Sequence, residues 1–195
     1  DIVTYEFENV PTAALELLAA SVPVRPGINA LAISQDRIVE KDFLNDLGLA
    51  TAPYRAVASA QDLKAALATL GTTSILKTRR FGYDGKGQIR IKDADDCDRI
   101  WSQMADAPSV LEGFVNFSRE VSVIGARGLD GAVACFDPGE NVHKDGILAT
   151  TTVPATLSQS ERTDAIILTG RILNALDYVG VLGVELFVTA EGLVV

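Results

Sequence analysis

Basic residues are in short supply: 17 Lys and Arg stand against 26 Asp and Glu in 195 residues, a net charge of −9. A duplex-binding surface needs Lys and Arg to neutralise phosphates, so nucleic acid is excluded as a partner class. A local cationic cluster can still hold a small anion. Cysteine is scarce as well. Cys97 and Cys135 lie far apart in the sequence with no metal-type spacing, which reads as a reduced thiol pair in a cytoplasmic setting. No apolar run is long enough to span a bilayer, and no secretory leader pattern is present, so no membrane partner is expected. The chain opens on Asp1 rather than Met and stops in the strand-like Gly192-Leu193-Val194-Val195, so we expect the natural protein to continue at both ends. The remaining composition, 48% hydrophobic and 22% charged, is that of a globular chain with a sizeable core.

Periodicity and punctuation predict an α+β chain. A strand is predicted over 2–7, and a helix over 12–20 opened by Pro11. Asp36 is an N-cap for a helix carrying Ile38, Phe43, Leu44 and Leu47, which Gly48 ends. Ser59 and Asp62 resemble a capping box for a helix to Leu70, closed by Gly71. Strands are predicted over 74–79 and 88–92, a helix over 95–105, and strands over 110–115 and 120–126. Asp130-Gly131 is a turn leading into 132–136 as a hairpin. Ser158 and Glu161 cap a helix to about Leu176, and strands follow over 179–188 and 193–195. The polar stretch from Glu140 to Gly146 is read as a loop.

The most informative segment is Lys77-Thr78-Arg79-Arg80-Phe81-Gly82-Tyr83-Asp84-Gly85-Lys86-Gly87-Gln88. Glycines let backbone amides approach an anion closely, and Lys77, Arg79, Arg80 and Lys86 concentrate positive charge in an acidic chain. A dinucleotide fingerprint or a Walker loop would lead into a helix, whereas Gln88-Ile89-Arg90-Ile91 reads as a strand. The segment is therefore expected to be a β-hairpin flap over phosphates. A solvent-exposed hairpin is the plain alternative.

Three acids stand in apolar strands. Glu185, between Val184 and Leu186, either faces a cleft with a cation or lies on an edge strand facing water. Glu112 ends one strand and Glu120 opens the next; they can serve an adenine edge and a ribose, or form a surface Glu–Arg pair. His143, the single histidine, is read as a solvated loop residue, with a phosphate contact or proton shuttle as the sharper reading.

Taken together, Thr4-Tyr5-Glu6-Phe7-Glu8-Asn9-Val10-Pro11, Gln35-Asp36-Arg37, Phe81 through Gln88, Arg119-Glu120-Val121-Ser122-Val123, Glu140 through Gly146 and Tyr178-Val179-Gly180-Val181 resemble the ATP-grasp ligases. Within them the resemblance is to the branch that carboxylates 5-aminoimidazole ribonucleotide in purine biosynthesis. It covers essentially the whole chain. It implies an ATP-grasp fold of two α+β subdomains gripping ATP, preceded by the tail of an α/β pre-ATP-grasp domain. The expected division is 1–32, 33–110 and 111–195.

The resemblance also implies ATP and Mg²⁺ as cofactors, aminoimidazole ribonucleotide and bicarbonate as substrates, and a homodimer. Arg37 and Lys77 would hold phosphates. Gly82, Tyr83, Asp84, Gly85, Lys86, Gly87 and Gln88 would form a flexible flap, with Tyr83, Asp84 and Lys86 as its catalytic residues. Glu112, Gly113, Phe114 and Val115 would line the adenine pocket, Glu120 would hold the ribose, His143 would lie beside the nucleotide, and Glu185 would be the first Mg²⁺ carboxylate. Glu6 or Glu8 would face the aminoimidazole substrate. The family's second metal carboxylate follows the last strand, so this stretch alone is not expected to turn over. Formate-dependent transformylases and biotin carboxylases are alternatives within the fold, and a non-catalytic nucleotide-binding fragment is the alternative outside enzymes.

Overall fold

The structure is a computed structural model that describes residues 1–82, 86–92, 96–144 and 146–195. The amino-terminal part is a small apolar unit. Helix α1 (Thr12–Ala19) follows Pro11, and helix α2 (Ile28–Ser34) follows Gly27. Leu15, Val24 and Leu31 form its core. The strand predicted over 2–7 is reduced to one parallel bridge, Val3 with Val24. The Val3 amide donates to the Pro23 carbonyl, the Arg25 amide donates to the Val3 carbonyl, and the pairing extends no further among the described residues.

Helix α3 (Arg37–Asp46) begins as expected at Asp36, whose Oδ1 accepts from the Ile38 and Val39 amides at 3.0 and 3.5 Å. A four-stranded sheet follows, in the order β1-β4-β2-β3: β1 (Tyr54–Val57), β2 (Ser74–Thr78), β3 (Gln88–Ile91) and β4 (Ser109–Gly113). Helices α4 (Ala60–Leu70) and α5 (Cys97–Gln103) cover one face of it. Leu63, Leu76, Leu111, Val57 and Ile91 are fully buried there, and Ile100 and Trp101 are buried beside them. Each such side chain contributes about 2 kcal/mol through burial. At the start of α4 the Ser59 hydroxyl accepts from the Asp62 amide, but Asp62 returns its bond to the Ala58 amide rather than to Ser59. The predicted box is therefore half formed: the Asp carboxylate is one methylene shorter than the Glu the motif prefers.

The second sheet, in the order β10-β9-β5-β7-β8 with β6 on β5, is antiparallel throughout. Its strands are β5 (Arg119–Arg127), β6 (Val133–Cys135), β7 (Gly139–Lys144), β8 (Ile147–Thr152), β9 (Gly180–Thr189) and β10 (Gly192–Val194). Helix α6 (Gln159–Ala175), opened by the reciprocal Ser158–Glu161 capping box, lies on one face of it. Val121, Val123, Val184, Leu186 and Val188 meet Ala165, Leu168 and Ile172 there, and Leu44 and Leu49 from the end of α3 join the same core. Gly125 permits the close approach of α6: a Cβ at that position would lie 2.8 Å from Thr169 Cγ2 and 2.9 Å from Leu173 Cδ1. Because side chains alternate across a strand, the other face of this sheet carries Glu120, Ser122, Asn141, Glu185 and Phe187.

Candidate nucleotide site

Lys77 and Glu112 stand on adjacent strands of the small sheet, on the face turned away from Leu76 and Leu111. The Lys77 ammonium donates to Glu112 Oε2 at 2.7 Å, and Lys41 from α3 lies 3.2 Å from Oε1. The Glu112 side chain is only 9% exposed. Burial pushes its pKa up, but the Lys77 and Lys41 charges and their hydrogen bonds hold it below the usual range. Lys41 also lies 5.8 Å from the centroid of the Tyr54 ring, whose hydroxyl donates to Asp42. Neither Lys41 nor its link to Lys77 was legible in the sequence: position 41 reads as an ordinary polar face of a helix.

A second group of residues builds the base of the glycine-rich segment expected to form a flap. The Thr78 amide donates to the Gly87 carbonyl at 2.8 Å, and the Arg37 amide donates to the Arg79 carbonyl at 3.0 Å. The Arg79 guanidinium makes three hydrogen bonds to the Asp36 carboxylate at 2.7 to 3.1 Å. Burial raises the pKa of Asp36, but the Arg79 contacts and the Ile38 amide more than offset that and leave it lowered. Arg80 donates to Gln35 Oε1 at 2.6 Å, while Gln35 Nε2 donates to the carbonyls of Glu8 and Val10. Arg79 and Arg80, grouped in the sequence with the phosphate-holding cations, are thus engaged by Asp36 and Gln35.

Gly82, Gly87 and Arg37 meet around Thr78. A Cβ on Gly82 would lie 3.3 Å from both Thr78 Oγ1 and the Lys86 carbonyl and 3.5 Å from Arg37 Nη2. Gly87 has φ +70°, and a Cβ there would come within 2.8 Å of Thr78 Oγ1. We expect Gly87→Ala to strain the neck by about 1 kcal/mol through the left-handed backbone and by more through the Thr78 contact. Limited proteolysis at the flap should quicken in Gly87→Ala, and Thr78→Ala should restore part of the wild-type resistance. Equal cleavage in all three proteins would remove the steric argument. Gln88 begins β3 opposite Lys77. Tyr83, Asp84 and Gly85 lie outside the described residues.

The third group is the open face of the large sheet. Glu120 and Phe187 are cross-strand partners, as are Ser122 and Glu185. The sequence left open a water-facing edge position for Glu185; it is exposed and pairs on one side with Ser122 of β5, while the β10 pairing on the other side covers only Phe187 to Thr189. His143 is on β7, not on a loop: β7 pairs antiparallel with β8, with an irregularity between Val142 and His143. Its Nδ1 lies 2.5 Å from Glu120 Oε2. The alternative of a surface Glu–Arg pair is not formed between Glu120 and Arg119 among the described residues, because neighbours on a strand point to opposite faces; Arg119 lies 3.7 Å from Glu140 instead.

The segment 114–118 joins the two sheets. The Gly113 amide donates to the Pro53 carbonyl and the Phe114 amide to the Thr73 carbonyl. Among the described residues the Val115 backbone makes no such bond. Phe117 stacks on Phe187 at 4.4 Å, and the Ser118 amide donates to the Val188 carbonyl. The five-residue step from Glu112 to Phe117 reaches at most about 17 Å. The Lys77–Glu112 pair and the Glu120–His143–Glu185 face therefore stand at the two ends of one short tether.

The described residues hold no cluster of three or more His, Cys, Asp or Glu able to cage a metal. A single exposed carboxylate such as Glu185 fits a share in Mg²⁺ coordination only where phosphate oxygens and water supply the rest, which is the mode that ion favours. No helix among the described residues is long and apolar enough to cross a membrane.

The model of the ATP-grasp domain family matches residues 42–195, and that of the ribonucleotide synthetase preATP-grasp domain matches residues 1–35. The N5-carboxyaminoimidazole ribonucleotide synthase of Brucella melitensis biotype 1 is 54% identical over 194 residues, covering 98% of this chain and 54% of that protein. An N5-carboxyaminoimidazole ribonucleotide synthetase solved as its ADP complex superposes with a TM-score of 0.94 at 37% identity, over 100% of this chain and 52% of that one. The synthase of Aspergillus clavatus, solved with ADP and 5-aminoimidazole ribonucleotide, gives 0.90 at 27% identity, over 100% of this chain and 51% of that one. The chain spans about half the length of the curated relatives it matches.

Proposed function

The chain belongs to the ATP-grasp family, and on that premise we propose that it carries the nucleotide site of a ligase that carboxylates 5-aminoimidazole ribonucleotide with bicarbonate at the expense of ATP. The observation that carries the reading is the tether: a lysine–carboxylate pair at one end, a carboxylate–histidine–carboxylate face at the other, and Val115 between them. A tether that short lets both groups act on one nucleotide. Similarity to synthases of this reaction along nearly the whole chain supports the substrate class.

In this reading Glu112, Gly113, Phe114 and the Val115 backbone take the adenine, and Glu120 takes the ribose with His143 holding its carboxylate. Arg37 and Lys77 meet the phosphates, and the flap from Gly82 to Gln88 covers them. Tyr83, Asp84 and Lys86 act over the reacting groups. Glu185 would hold Mg²⁺, which would supply neutralisation of charge on the transferring phosphoryl group. A bicarbonate oxygen attacks the γ-phosphorus and ADP leaves, giving carboxyphosphate. The amine of the ribonucleotide then attacks the carboxyl carbon, phosphate leaves with its oxygen, and the amine loses a proton. Carboxyphosphate reacts readily with water, so a covering flap serves the chemistry. Glu6 or Glu8 faces the ribonucleotide. The same reading puts the protein in the cytoplasm, which its free cysteines suit, and makes it a homodimer, as the family resemblance implies.

The test is release of ADP by the natural protein. Release should require both 5-aminoimidazole ribonucleotide and bicarbonate. Release that ignores the ribonucleotide, or that follows formate or biotin instead, would assign the chain to another ATP-grasp reaction; ADP binding without any turnover would favour a binding module.

A further inference from the structure

Two lysines share one carboxylate at the base of the site. Lys77 comes from β2 and holds Glu112 Oε2; Lys41 comes from α3 and lies by Oε1. The two ammonium groups occupy separate oxygens on separate elements, so either can depart without moving the other. The cluster carries two positive charges for one negative charge. The side chain of Lys41 is 11% exposed and that of Glu112 is 9% exposed, so water compensates little of what either loses.

We propose that Lys41 is a positioning residue for Lys77: it keeps Glu112 neutralised and thereby leaves Lys77 able to turn from that carboxylate to a nucleotide phosphate. Were Lys77 the sole partner of Glu112, its transfer to a phosphate would strand a buried anion, and binding would be opposed by that loss. With Lys41 in place, Glu112 remains paired throughout. Other charged groups near Lys41 do not displace this role. Asp42 accepts from the Tyr54 hydroxyl. Glu40, also on α3, lies among Arg37, Lys41, Glu8 and Glu112; burial pushes its pKa up while the Arg37 and Lys41 charges draw it down, and Arg37 shares the Glu40 charge with Lys41.

The inference rests on the reading that Lys77 meets phosphate. The experiment titrates ADP without metal into the full chain and its variants by calorimetry, with thermal melting in parallel. Lys41→Met should weaken ADP binding about tenfold, with a melting temperature close to wild type. Lys41→Arg should bind like wild type. In a Glu112→Gln background the further change to Lys41→Met should have no effect, because a neutral amide places no ionic hold on Lys77. Lys41→Gln should repeat the result if the Met variant folds poorly.

Unchanged ADP affinity in Lys41→Met would overturn the proposal. A tenfold loss that persists in the Glu112→Gln background would also overturn it, since Lys41 would then act on the nucleotide directly. If Lys77→Met binds ADP like wild type, the phosphate reading itself fails; if Lys77→Met loses binding while Lys41→Met does not, only the present inference fails.

Discussion

Replacing Lys77 with Met is expected to weaken ADP and ATP binding at least about a hundredfold while leaving the fold intact. A hundredfold loss is about 2.7 kcal/mol, the size of one charge-assisted bond to a phosphate in a site partly shielded from water. The fold should survive because Glu112 keeps Lys41 at 3.2 Å when Lys77 is removed, so no buried carboxylate is left alone. The methionine chain also retains most of the apolar stem of Lys77. Lys77→Arg should recover only part of the affinity. Its planar fork can satisfy Glu112, but it cannot reproduce the compact ammonium's freedom to turn between two anions. The measurement is a calorimetric titration of nucleotide with melting curves of the same samples. Wild-type affinity in Lys77→Met would take Lys77 out of the site.

Much of the helical frame was legible because its signals are local. Asp36, Ser59 and Ser158 each accept a bond from a backbone amide two or three residues on, and each marks a helix start that periodicity also favoured. The strands that carry Lys77, Glu112, Glu120 and Glu185 were legible for a related reason: each alternates or runs apolar against a helix. The β7–β8 pair was not, since β8 is exposed along its length and Val142, His143 and Lys144 are exposed on β7, leaving no buried face to impose a period of two. Helix α2 and strand β1 are short and carry no cap or hairpin signal. At the site, residue types were readable but partners were not. Asp36–Arg79, Gln35–Arg80 and Lys41–Glu112 join positions 43, 45 and 71 apart, a separation that no window of the sequence spans. The resemblance marked Gln35-Asp36-Arg37 as a unit; the contacts show that its first two members tie the amino-terminal segment and α3 to the root of the flap.

That tie makes Asp36 the position where one substitution should damage both stability and the site. Its carboxylate caps α3 through the Ile38 and Val39 amides and holds the Arg79 guanidinium with three bonds. Asp36→Ala removes the cap, worth about 1 kcal/mol, and the charged bonds to Arg79, worth about 2 more. A loss of about 3 kcal/mol corresponds to a fall of roughly 6–12 °C in melting temperature for a chain of this size. The pH dependence follows from the sign of the shift. Asp36 has a folded pKa below its unfolded value near 3.9, so the stability it supplies is full above that value and is lost as pH falls through the lower, folded pKa. The gap in melting temperature between wild type and Asp36→Ala should therefore be widest near neutrality, begin to narrow below about pH 4 as the unfolded carboxylate takes up its proton, and close as pH falls through the lower folded pKa, where the charged bonds to Arg79 weaken. Because the Arg37 amide bonds to the Arg79 carbonyl, freeing Arg79 should also loosen the flap root and weaken ADP binding at pH 7. A melting difference that stays constant from pH 7 to pH 3 would mean that the ionised carboxylate is not what holds the two segments together.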